Sequence, residues 1–170
     1  LVTALFLESI KSNKCRANIS LVPNFAELAP DQFLDWLHEA GSSTEFLTNL
    51  LSDEQACESI ATSLTLIAIH EKYFSAAINH LIAFAAKAGS EKGKNRYQEA
   101  IASLIDAYFP QTNARIRERI REFRKLSEEL PAFTWNFCIS QLNIHGGSYF
   151  YNQFSKWRNE GWRVPSTISM

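Results

Sequence analysis

A chain of 170 residues, 46% of them hydrophobic and only six glycine and five proline, is long enough to bury about two-thirds of its extended-chain surface in a single core. That composition excludes a disordered or collagen-like polypeptide, and three scattered cysteines, Cys15, Cys57 and Cys138, exclude a disulfide framework. A net charge of −1 hides an asymmetry: residues 1–71 hold three Lys/Arg against ten Asp/Glu, residues 72–170 fourteen against eight, a pattern suited to an anionic partner on one side.

The expected location is a reducing, intracellular compartment, cytoplasmic or nuclear. No membrane contact is expected, because the most apolar stretch, residues 76–88, is interrupted by Asn79, His80 and Lys87. The absence of an initiator methionine and the polar end Ser166–Met170 read as one piece of a larger protein, with residues 1–170 forming one helical domain.

In chain order, Leu1–Ser12 carries a rough helical face, and Asn13–Asn24 reads as a loop in which Ile19, Leu21 and Val22 form an apolar anchor before Pro23. Pro30 suits a first helical turn, and Phe33, Leu34 and Leu37 supply a stripe up to Gly41. Ser42-Ser43-Thr44-Glu45 forms a capping box for a helix burying Phe46, Leu47, Leu50 and Leu51.

Ser52-Asp53-Glu54-Gln55 is a second capping box. It opens a run free of glycine and proline, from Ser52 to Ala88, along which Cys57, Ile60, Leu64, Ile67, Phe74, Ile78, Leu81 and Ala85 recur at steps of three and four or close to them. A polar notch at His70-Glu71-Lys72 divides this run into two helices, since one helix of that length would be far above the usual size. Gly89–Lys94 reads as a mobile hydrophilic connector.

Tyr97, Ile101, Leu104, Ile105 and Tyr108 define the next helix, ended by Pro110. Another runs from Thr112 or Asn113 to Glu129 with Ile116, Ile120, Phe123 and Leu130 inward. Pro131 starts a helix containing Phe133, Trp135, Phe137, Ile139 and Leu142, closed by Gly146-Gly147. Ser148 caps a last helix with Phe150, Phe154 and Trp157 on its apolar arc and Gly161 at its C-terminal cap. With no period-two alternation and no repeat of fixed length, the expectation is an all-α compact bundle of about eight helices, with stacked HEAT-like hairpins as the alternative.

The chemistry-bearing features are few. Arg117, Arg121, Arg124 and Lys125 share one arc of the Ile116–Glu129 helix about 100° wide, a ridge suited to phosphate oxygens, which arginine grips with paired hydrogen bonds. Glu118 and Glu122 stand at i±3 positions from which they can absorb that charge. Lys92, Lys94 and Arg96 form a second basic cluster, and together the two could line a groove with Tyr97 or Tyr108 offering ring faces to unpaired bases. The C-terminal segment is rich in aromatic and basic residues, and Tyr149, Tyr151, Arg158, Trp162 and Arg163 are left over from its inward arc, the composition of a protein interface.

Catalytic and metal signatures are absent from the sequence. His38, His70, His80 and His145 show no metal-ligand spacing, no glycine-rich phosphate loop or Gly-x-Ser-x-Gly elbow occurs, and no cofactor is expected. His70-Glu71 fits a helix end better than an acid/base pair.

The spacing Phe154-x-x-Trp157-x-x-x-Gly161-Trp162-x-Val164 resembles the closing helix of DnaD-type replication proteins, which assist helicase loading and bind DNA. That resemblance, confined to residues 154–164, implies nucleic-acid contact. The expected function is a non-catalytic protein-interaction or scaffold module, with a nucleic-acid-binding domain of a replication, recombination or mobile-element protein as the alternative.

Overall fold

The computed structural model describes residues 19–42, 48, 51–106 and 110–142. Outside them lie the expected helix at Leu1–Ser12, most of the helix capped by Ser42–Glu45, Tyr108, and everything from the Gly146-Gly147 stop to the closing helix. Every regular element among the described residues is helical: a 3-10 turn at Ile19–Leu21, then α1 (Val22–Leu28), α2 (Pro30–Ser42), α3 (Glu54–Ala68), α4 (Glu71–Lys87), α5 (Glu91–Ile105), α6 (Ile116–Glu129) and α7 (Pro131–Leu142). The chain is all-α, and its helices pack compactly.

The centre is α3, α4 and α5, each packed extensively against the other two, so that they close a bundle. The stripe along Ser52–Ala88 supplies it. Cys57, Ile60, Leu64, Ile67, Phe74, Ile78, Leu81 and Ala85 are all buried, joined from α5 by Tyr97, Ile101 and Leu104. Helix α1 lies on α3, α2 reaches α4, and α6 packs on α4 with α7 behind it.

The helix boundaries follow from local chemistry. Asp53 caps α3, its carboxylate accepting from the backbone N–H of Gln55 at 2.9 Å and Ala56 at 3.1 Å, one residue after the serine expected to do so. The run does break at the notch: α3 ends at Ala68, and His70 in an extended conformation precedes α4. The end of α3 is sealed from far along the chain. Thr112 Oγ1 donates to the Ala68 carbonyl at 2.6 Å, and the Asn113 N–H donates to Ile69 O at 2.9 Å, which satisfies carbonyls a helix end otherwise leaves orphaned.

That seal also explains why α6 begins at Ile116 rather than at Thr112 or Asn113. The Thr112 hydroxyl and the Asn113 N–H are already committed to the end of α3.

Three other expectations need correction. Residues 19–28, read mostly as loop, are helical, with Pro23 in the first turn of α1 where a missing N–H costs nothing. Gly41 does not stop α2, which continues through Ser42. The connector placed at 89–94 is already helix from Glu91, capped by Ser90 Oγ accepting from the Gly93 N–H at 3.0 Å. Gly93 is buried where α5 crosses α3, and a Cβ there would lie 3.0 Å from Cys57 Sγ. A larger residue there would need Cys57 Sγ and Ser90 Oγ, both 3.0 Å from that Cβ, to give by a few tenths of an ångström.

Candidate functional site

Helix α6 meets the bundle on an unexpected face. Its buried residues are Arg119, Glu122 and Leu126, while Ile116 and Ile120, expected inward, remain 49% and 46% exposed. At 100° per residue the buried face is rotated roughly a quarter turn from the apolar arc. Phe123, between the two, is half-buried, as is Leu130.

The cause is a polar clasp with α4. Glu122 is fully buried, and its Oε1 accepts from Ser75 Oγ at 2.8 Å and Arg121 Nε at 3.0 Å. Lys125 Nζ lies 2.7 Å from its Oε2 and donates to Asn79 Oδ1 at 3.3 Å. Arg121 also donates through Nη2 to Ser75 Oγ at 2.8 Å. Burial pushes the Glu122 carboxyl upward, but the bonds from Lys125, Ser75 and Arg121 outweigh it and hold the group below its ordinary value. An apolar face turned toward half-buried Ser75 would leave its hydroxyl without a comparable partner, and the Glu122 carboxylate is held by two cations and that hydroxyl.

The arginine ridge is therefore divided. Arg121 and Lys125 are engaged with Glu122, while Arg117 and Arg124 lie exposed on the outer face of α6. Lys92 pairs with Glu54 of α3 at 3.4 Å, Arg96 with Glu99 at 3.3 Å, and Lys94 is half-buried. The two basic clusters pair with different neighbours. Tyr97 is completely buried, so its ring is closed to bases; burial, with Cys57 beside it, drives its phenol far above the ordinary range. Glu71 serves the start of α4, where it meets Arg115 Nε at 3.1 Å. Tyr149, Tyr151, Arg158, Trp162 and Arg163 lie outside the described residues.

The site that sequence reasoning missed is on the opposite flank of α6. Pro131 opens α7 as expected, but this helix carries no charged residue and is apolar on more than one side. Phe133 and Phe137 turn toward the bundle, with ring centroids 6.3 Å apart and Phe123 6.3 Å from Phe137. Trp135, Ile139 and Leu142, spaced i, i+4, i+7, turn away from it, Trp135 68% and Leu142 80% exposed. An uncharged helix with rings and branched chains on two faces is the signal, since one neighbour can cover only one of them.

Between α6 and α7 opens a groove of about 360 Å³, walled by Ile116, Ile120 and Phe123 on one side and by Phe137, Cys138 and Leu142 on the other, with Ile105 at its end. Its polar lining is Arg119 and Gln141, and both point to one residue: Arg119 Nη1 donates to the Asp106 carbonyl at 3.0 Å and Gln141 Nε2 to Asp106 Oδ2 at 3.4 Å. A guanidinium on the last carbonyls of α5 stabilises that helix end. The walls are thus fixed by three helices meeting at Asp106, while the cleft itself offers apolar surface.

Among the described residues no three His, Cys, Asp or Glu side chains gather as a metal site, and no helix is long and apolar enough to cross a membrane. Comparison of the chain with family models, with curated proteins and with solved structures finds no match.

Proposed function

We propose that this chain is a helical protein-interaction module that acts by binding rather than by turnover, and that the α6–α7 groove is its binding surface. The observation that carries this reading is the groove itself, a cleft walled by branched aliphatic and aromatic side chains between α7 and α6, the latter fixed to α4 by the buried Glu122. Rigid apolar clefts of this kind receive the apolar face of an amphipathic helix through anchors at i, i+4 and i+7. The neighbouring Trp135 is the residue type most often found to dominate interface energetics.

Nucleic-acid contact, the alternative, would rest on Arg117 and Arg124 with weak help from cations already paired to carboxylates.

The experiment is a titration of the chain with helical peptides bearing Leu or Phe at i, i+4 and i+7, followed by methyl NMR at Ile116, Ile120 and Leu142. Binding should move those resonances, change little with salt, and be lost in Ile120→Glu. Electrophoretic mobility shifts with DNA and RNA across salt test the alternative: affinity that falls steeply with ionic strength, and that disappears when Arg117, Arg121 and Arg124 are changed together to Ala, would favour nucleic acid and overturn the groove.

A further inference from the structure

The groove and the helix that walls it form one continuous apolar patch. At 100° per residue Trp135, Ile139 and Leu142 fall within an arc of about 60° on α7, and Leu142 also lines the cleft beside Cys138. The outer stripe of α7 therefore passes into the groove with no polar residue between. Its spacing, i, i+4 and i+7, is the anchor spacing that an apolar groove receives. One chain thus carries both a cleft and a helix face that fits it, the self-complementarity a two-fold interface requires.

Size and charge favour the pairing. From the exposures of Trp135, Ile139, Leu142, Ile116 and Ile120, covering these side chains would remove about 550 Å² of apolar surface per copy, the upper end of what a monomer ordinarily leaves in one patch. At the apolar share of homodimer interfaces, roughly two-thirds, this corresponds to about 800 Å² per partner, the size of a stable dimer contact. Helix α7 has no charged residue. A second α7 entering the groove therefore meets no like charge at the exposed Arg117 and Arg124 of α6, and its burial desolvates no ion.

We infer that two copies of this chain associate about a two-fold axis, with the α7 stripe of each, Trp135, Ile139 and Leu142, seated in the α6–α7 groove of the other. This names the partner of the interaction surface proposed above and rests on that reading.

The test is sedimentation velocity of the 170-residue chain under reducing conditions from about 0.1 to 100 µM, which reaches the weak end of interfaces of this size. The mass should rise from monomer to dimer. Trp135→Ser/Ile139→Ser removes the stripe and Ile120→Glu blocks the groove, and each should weaken the dimer at least about a hundredfold. Far-UV circular dichroism should stay unchanged in both, because all three side chains are exposed. At a concentration where the unaltered chain is dimeric, alkylation of Cys138, read by peptide mass, should be at least about tenfold faster in the stripe variant, since a second copy covers the cleft wall.

A chain that stays monomeric throughout, a dimer that survives both variants, or Cys138 labelling indifferent to the dimer would each overturn the proposal. Helical peptides separate that failure from failure of the broader reading. A monomeric chain that binds them keeps the groove as an interaction surface and loses only the second copy. A dimer whose stripe variant takes no peptide keeps the second copy as occupant and removes the broader reading instead.

Discussion

The two flanks of α6 face their neighbours with opposite chemistry. Toward α4 it presents Glu122 gripped by Arg121 and Lys125, with Ser75 and Asn79 completing the contact; toward α7 it presents Ile116, Ile120 and Phe123 around an open cleft. The polar flank is sealed and the apolar flank is not. Amphipathicity alone would place them the other way, and the difference teaches that a helix docks on the face its neighbour can satisfy. Ser75 and Asn79 are hydrogen-bonding groups on the side of α4 that meets α6, and Glu122, Arg121 and Lys125 answer them.

The largest expected effect breaks the comparison at its centre. Leu126→Ala, on the buried face, should cost about 3 kcal/mol in urea denaturation, whereas Ile120→Ser, on the open flank, should stay within about 0.5 kcal/mol. Equal losses would mean that α6 is seated as its apolar arc suggested. Next comes Glu122→Gln, which should cost about 2 kcal/mol at pH 7, the scale of hydrogen bonds to a charged group. Because the folded carboxyl titrates below its ordinary value of 4.5, its contribution is present above that pH and disappears as pH falls through the folded value. Denaturation of the variant and the unaltered chain should therefore converge as the pH falls below 4.5 and the carboxyl is protonated.

The smallest effect sharpens the assignment of acid sensitivity. His80 on α4 is held below its ordinary value of 6.5 by burial, with His38 adding repulsion. A histidine so shifted destabilises the fold as pH drops below 6.5, because the unfolded chain takes the proton first. His80→Gln should flatten the decline in stability between pH 7.5 and 5.5 and leave the steeper loss below 4.5 to Glu122. If His80→Gln leaves the upper slope unchanged, the imidazole is not its source.

Much of the fold was legible in the residues. Pro30 and Pro131 open helices where expected, the notch at His70 divides the long run, and every member of the stripe from Cys57 to Ala85 is buried. Those features are local, set by proline geometry, caps and a 3.6-residue period. What escaped was the facing of α6 and α7. Glu122 finds Ser75, and Lys125 finds Asn79, more than forty positions upstream, and periodicity carries no information about such pairings. Within α6 alone, a carboxylate between Arg121 and Lys125 did announce an ion cluster, but not that it would be buried. In α7 the sequence showed Trp135, Ile139 and Leu142 as apolar members of one helix, but periodicity does not count the neighbours able to cover them, and all three are exposed.

The tight crossing of α5 over α3 turns Cys57 into a timer. With its sulfur pressed beneath Gly93 and its thiol raised above the ordinary range by burial, no alkylating reagent can reach it while the two helices touch, whereas Cys138 sits half-open in the cleft wall. The lag between the two thiols' labelling would then report how often the heart of the bundle breathes apart, without any mutation at all.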